Sequence, residues 1–315
     1  MKTYAPNYYE KFRCIADKCR HSCCIGWDVY IDEETLEKYR TMGGETGERV
    51  RAHLTEKEDG TCFCMCEGGR CPMLNSRGLC DIILENGEDC ISEICREHPR
   101  FYNFFSDRIE VGLGLSCEEA ARIILSDEGK TYLTVIAEDD AEEEALWLDE
   151  VEILTLREKL FPLLQDRSRS IEQRAREMLK LAHARFPEKS SAEWAEVFRS
   201  LEILDPEWNG VLGILAGADM SAQIPELELP LEKLLLYFVY RHTPEATDEL
   251  DLAARIAFAY LAFAVIRALC AAKKAESGEC TFSDLCDLAR RYSAEIEYSP
   301  ENTSTLIRIM EAQNG

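Results

Sequence analysis

The chain has 315 residues, 46% of them hydrophobic, enough for a real core in one large or two ordinary domains. Its net charge of −24 excludes the basic face that phosphate contacts need, so nucleic acid is not an expected partner. The N-terminus, Met1-Lys2-Thr3-Tyr4-Ala5-Pro6-Asn7, has no apolar targeting segment, and the longest apolar run, Ile256 to Ile266, is too short to span a bilayer. A soluble, cytoplasmic protein without a membrane partner is expected.

In chain order, residues 1 to about 117 are irregular. Gly43-Gly44, Asp59-Gly60, Gly68-Gly69, Gly78 and Gly87 interrupt short apolar pieces. One helix is predicted from Glu33 to Tyr39 with Asp32 as its N-cap. A small hairpin is expected near Phe104 to Leu115. Ser116-x-x-Glu119 reads as a capping box opening a further helix. Beyond residue 117 the texture changes to long helices. They are predicted at Glu142 to Leu164, Ser170 to about Ala184, after Ser190, Leu231 to Arg241, Asp248 to Lys274, Ser283 to Ser293 and Glu301 to Ala312, with prolines between them. The expected fold is mainly α, a cysteine-rich, loop-rich metal-binding region at 1–125 packed on an α-helical region at 126–315. The charge is uneven: −6 over residues 1–117 and −18 over the rest, which favours a basic or lysine-bearing partner or simply solubility.

Twelve of the fifteen cysteines lie in the first 117 residues, beginning Cys14-x4-Cys19-x3-Cys23-Cys24. A reducing compartment disfavours structural disulfides, which leaves metal ligation as the main reason to cluster thiols. The vicinal pair Cys23-Cys24 agrees, because one thiol can face a metal while its neighbour faces elsewhere. Soft thiolates select zinc or iron–sulfur clusters. Paired C-x2-C knuckles, the usual mark of four-cysteine zinc, are absent, and ligands gathered from distant loops suit a cluster at least as well.

Several strings resemble the flagellin lysine-N-methylase family, which is similar to the broader cysteine-rich zinc/iron-chelating proteins. They are Tyr9-x2-Phe12-x-Cys14-Ile15, Cys19-x3-Cys23-Cys24-x2-Trp27-x3-Ile31-Asp32, Gly78-Leu79-Cys80-x-Ile82, Ser92-x2-Cys95-Arg96-x-His98-Pro99-Arg100 and Leu115-Ser116-Cys117-x-Glu119. Weaker ones follow at Tyr237 to His242 and Glu295 to Asn302. The resemblance implies a cytoplasmic methyltransferase that holds a 4Fe-4S cluster and uses S-adenosylmethionine to methylate lysines of flagellin. It draws the metal ligands from Cys14, Cys19, Cys23, Cys24, Cys71, Cys80, Cys95 and Cys117, of which one cluster takes three or four. Cys19, Cys23, Cys80 and Cys95 are the first choices. Cys62, Cys64, Cys66 and Cys90 depart from the pattern, either as a second zinc site or as incidental loop thiols. Cys270, Cys280 and Cys286 read as packing.

Methylating lysine requires a neutral amine, whereas free lysine with a pKa near 10.4 is mostly protonated. Tyr102, Glu97 and His98 are the candidate catalytic groups, with Tyr237, Tyr240 and Glu297 as alternatives from the helical half. Arg96 and Arg100 can balance an anionic cluster or hold a carboxylate of the cofactor, or form surface ion pairs. No Gly-x-Gly-x-Gly loop follows a predicted strand, so the methyl-donor site is not legible. Two rival functions stand beside the enzyme: a non-catalytic zinc- or iron-binding module that recruits a partner, and an iron–sulfur redox protein.

Overall fold

The computed structural model describes residues 1–141 and 143–315. Helices hold 56% of the residues and strands 11%, so the fold is mainly α, as expected. The chain divides into two compact units, one of residues 13–101 and one of residues 1–12 with 102–315. The sequence boundary at 125 follows the change in texture; the structural division follows strand pairing, which ties the extreme N-terminus to segments beyond residue 101.

The unit of residues 13–101 is built from short pieces. Helix α1 (Glu33–Thr41) starts where predicted, with the Asp32 carboxylate accepting a hydrogen bond from Thr35 N at 2.9 Å. Its second oxygen accepts from Glu93 N at 2.8 Å, at the first turn of α4 (Glu93–Glu97). One side chain thus satisfies orphan amides of two helices. Gly43-Gly44, read as an interruption, instead opens helix α2 (Gly44–Ala52). Gly47 is required inside it, because a Cβ there would collide with the Met42 carbonyl. Strands β2 (Leu54–Lys57) and β3 (Gly60–Phe63) form a hairpin whose turn uses Gly60 at φ +128°. Helix α3 (Asp81–Asn86) follows. Val29, Ile31, Leu36, Tyr39, Phe63 and Met73 form the core, with Tyr39 stacked on Phe63 at 6.0 Å.

The other unit carries a four-stranded sheet. Strand β1 (Lys2–Pro6) runs parallel to β5 (Arg108–Leu113) and antiparallel to β6 (Leu133–Glu138), and β4 (Arg100–Phe104) completes the order β4-β5-β1-β6. The predicted hairpin is the β4–β5 pair; β1 and β6 were not anticipated. Helix α5 (Glu118–Ser126) has Cys117 as its N-cap and no side-chain cap, so the predicted Ser116 capping box does not form. Glu119 is instead paired with Arg122 through both carboxylate oxygens.

Helix α6 spans Leu148–Leu164, and the predicted start at Glu142 lies outside the described residues. The capping boxes at Ser170 and Ser190 do form, opening α7 (Ile171–Leu181) and α8 (Ser191–Arg199). Helices α9 (Trp208–Ala216), α10 (Glu228–His242) and α11 (Glu249–Ser277) follow, then α12 (Phe282–Tyr292), one π-helical turn at Ser293–Glu297, and α13 (Pro300–Asn314). By length and composition α11 could cross a membrane, but 89% of its most apolar stretch is buried inside the protein. It forms the centre of this unit's core. Around it Phe198, Trp208, Phe238 and Tyr292 meet edge to face, with ring centroids 5.7 to 6.4 Å apart. Each such buried side chain contributes roughly 1.5–3 kcal/mol.

Candidate functional site

Within residues 13–101, five thiols share one neighbourhood: Cys90, which donates to Asn86 O, and four others. Cys24, Cys71, Cys80 and Cys95 all pack against the apolar core of that unit. Local backbone bonds hold them there. Cys71 N donates to Cys24 O at 2.8 Å, Asp81 N to Met73 O at 2.9 Å, and Cys95 N to Ser92 O at 3.1 Å. Of the vicinal cysteines, Cys24 packs against the core and Cys23 is exposed, with their side chains hydrogen-bonded to each other.

The electrostatics mark the same four. Burial pushes the Cys71 thiol up to about 12, and negative charge on Cys24, Cys80 or Cys95 raises it further. Burial likewise pushes Cys95 up to about 11, with Cys24 and Cys80 adding to the rise. Cys80 is raised by burial, although the N–H groups of Ile83 and Ile82 at the start of α3 point at its sulfur. Cys24 alone is lowered, to about 7, first by the hydrogen bond from Cys23 and with help from Ser22 and the Arg70 guanidinium. Cys71, Cys80 and Cys95, whose ionisation burial and neighbouring thiolates penalise, stay largely protonated on their own. A polycationic centre reverses that balance by neutralising each thiolate as it forms.

Among the described residues, no three His, Cys, Asp or Glu side chains close tightly enough to form a single-ion site. Tetrahedral zinc draws its sulfurs to about 2.3 Å from one point. A four-iron cluster spreads its thiolates over the corners of a larger body, and amide N–H groups directed at sulfur tune it. The donor set Cys24, Cys71, Cys80 and Cys95 fits the larger body in chemistry and number.

The other cysteines have contacts of their own. The Cys14 sulfur accepts from Ala16 N at 3.4 Å, and Cys19 donates to His21 O at 3.2 Å. Cys117 belongs to the other unit. Cys62 is buried in β3, Cys64 and Cys66 are exposed, and Cys90 donates to Asn86 O. Cys270, Cys280 and Cys286 are buried in the helical unit, where Cys270 and Cys280 hydrogen-bond to each other.

The charged residues after Cys95 gather at the end of α4. Arg96 stands 4.0 Å from Glu97, and Arg100 donates to Arg96 O at 3.0 Å. His98 is half-buried beside Trp27, ring centroids 6.5 Å apart, and desolvation lowers it to about 4, so it is neutral at pH 7. Tyr102 lies in the other unit, exposed on β4 and stacked on Phe104.

The alternative groups of the helical half are buried and hydrogen-bonded. Tyr237 Oη donates to Glu297 Oε2 at 3.0 Å and accepts from Arg241 Nη1 at 3.0 Å and Leu115 N at 3.2 Å. Glu297 Oε1 is bonded to His242 Nε2 at 2.6 Å and Arg241 Nε at 3.0 Å. Burial holds Tyr237 far above the ordinary phenol range, so it remains a neutral donor. Tyr240 Oη is committed to Val111 O at 3.0 Å. The π turn delivers Glu297 into this network, which ties α10 to the Leu115–Cys117 turn. These residues hold structure; a solvent-facing proton acceptor is not among them.

Of the expected ligands outside the four first choices, Cys24 and Cys71 are joined through their backbones across 47 residues, and Cys71 lies next to the buried Met73–Leu74.

Residues 222–315 match the family model of the FliB lysine N-methylase C-terminal domain. The resemblance to the flagellin lysine-N-methylase family is borne out. A lysine-N-methylase of Salmonella typhimurium is 27% identical over 128 residues, covering 39% of this chain and 32% of the relative. One from Salmonella choleraesuis is 29% identical over 129 residues with the same coverage. The flagellar biosynthetic protein FliU of Salmonella muenchen is 27% identical over 39% of this chain and 76% of its own length. The match thus spans about a third of the length of the first two relatives. No solved structure matches the chain.

Proposed function

We propose that this protein is an iron–sulfur-dependent lysine N-methyltransferase that takes its methyl group from S-adenosylmethionine and acts on flagellin in the cytoplasm. The lysine-N-methylase names of its relatives support the reaction class. The observation that carries the cofactor is the meeting of Cys24, Cys71, Cys80 and Cys95 on one core. These four would hold the cluster. When bound, the cluster supplies a Lewis-acidic iron-sulfide surface with tunable charge.

The protein's own groups then handle the amine. The Glu97 carboxylate attracts the substrate ammonium, and His98, neutral at pH 7, accepts a hydrogen bond from it. The ammonium first gives up one proton to a nearby base or water, and the neutral nitrogen then takes the methyl group as the donor's carbon–sulfur bond breaks and its sulfonium leaves as a thioether. Arg96 and Arg100 balance anionic charge beside Cys95. Anaerobic purification tests the cofactor: iron and acid-labile sulfide in equal amounts with broad visible absorbance support it, and stoichiometric zinc in a colourless protein refutes it. Mass spectrometry of flagellin incubated with S-adenosylmethionine tests the reaction, the expected product gaining one methyl mass at lysine.

A further inference from the structure

A cavity of about 380 Å³ opens between the sheet and α6 of the helical unit. Its walls include Leu133, Leu154 and Phe161, and its polar lining includes Glu110 and Arg157. These two are buried, Arg157 only 5% exposed and Glu110 not at all, and they pair through both guanidinium amino groups at 2.8 and 3.1 Å. The guanidinium lies 5.2 Å from the Tyr240 ring and 5.8 Å from the Phe161 ring. Arg157 Nε is nevertheless buried without an acceptor. A buried donor left unpaired is costly, so a ligand that supplies an acceptor gains affinity there.

The charges of the pair cancel, which argues against an anion as the group bound at the floor. What the floor offers is a donor, Arg157 N–H, beside an acceptor, the remaining lone pairs of Glu110. Adenine presents the complementary edge, a ring-nitrogen acceptor next to an amino donor, whereas guanine presents two acceptors at the corresponding edge. Apolar walls suit a flat ring. Arg108, held through two bonds of 2.8 Å by Asp107, and exposed Glu158 also line the cavity, so Glu158 is the group left to meet the ammonium of an amino acid.

Resting on the reading that S-adenosylmethionine is the methyl donor, we infer that this cavity receives its adenosyl group. Binding, with no turnover, tests this. Titration calorimetry of the full-length protein with S-adenosylhomocysteine, adenosine and guanosine is expected to show the first two bound and guanosine weaker by about ten-fold or more. Thr155→Trp, at an exposed wall position, and Leu154→Trp are expected to weaken S-adenosylhomocysteine at least ten-fold, with circular dichroism unchanged for the first. Equal binding to wild type and Thr155→Trp overturns the cavity while leaving the methyl-donor reading standing. Adenosine binding that Thr155→Trp abolishes, without any methyl transfer to flagellin, upholds the cavity and rejects that reading. Failure of the wild type to bind adenosine and S-adenosylhomocysteine rejects the cavity.

Discussion

Glu297 shows how a single buried charge is kept. Burial alone would raise its carboxyl, but Arg241 and His242 more than reverse this and leave it lowered. A carboxyl depressed on folding stabilises the protein above its unfolded pKa of about 4.3, and that contribution disappears as pH falls through the lower folded value. Replacing Glu297 by Gln strands Arg241 without its counter-charge, with an expected loss of about 3 kcal/mol at pH 7. Urea unfolding at pH 7 and pH 3 measures it: the gap between wild type and Glu297→Gln should narrow at the lower pH. A gap that stays constant would remove Glu297 as its source. The residue was visible in the sequence as a chemical candidate; its confinement was not, because burial by α10 and the π turn is a tertiary property.

At the scale of elements, legibility followed the range of the interaction. The caps at Asp32, Ser170 and Ser190 were readable because donor and acceptor lie three residues apart. Ser116 carried the same pattern and failed, since the turn before α5 is bound instead to Tyr237 across 122 residues. Strands β1 and β6 escaped notice for a related reason: each is defined by pairing with residues more than a hundred positions away. The second role of Asp32 was equally hidden, as Glu93 is 61 residues distant. Asp32→Ala should therefore cost more than an ordinary cap, about 2 kcal/mol, while Asp32→Asn recovers part of it. Thermal unfolding of both variants decides this; equal and negligible losses would mean the double cap carries no energy.

For the whole molecule, the unit of residues 13–101 depends on few and short elements, whereas the other has a long central helix and a dense aromatic core. The proposed cluster would therefore act as the former's principal cross-link. Hydrogen exchange of protein before and after iron chelation should show protection falling in residues 13–101 and holding in α10 and α11. Uniform loss across both units would contradict a local role. That thiols would gather in residues 13–101 could be read from cysteine number; which sulfurs meet could not, since spacing along irregular loops does not fix where they turn.

The parallel pairing of β1 with β5 has a consequence for synthesis. The first strand of the chain cannot find its neighbour until about a hundred further residues have left the ribosome. During that interval residues 13–101 are already outside, so their short helices and hairpin can form before the sheet closes. Assembly order is thus written into the topology, with local pieces first and the sheet last.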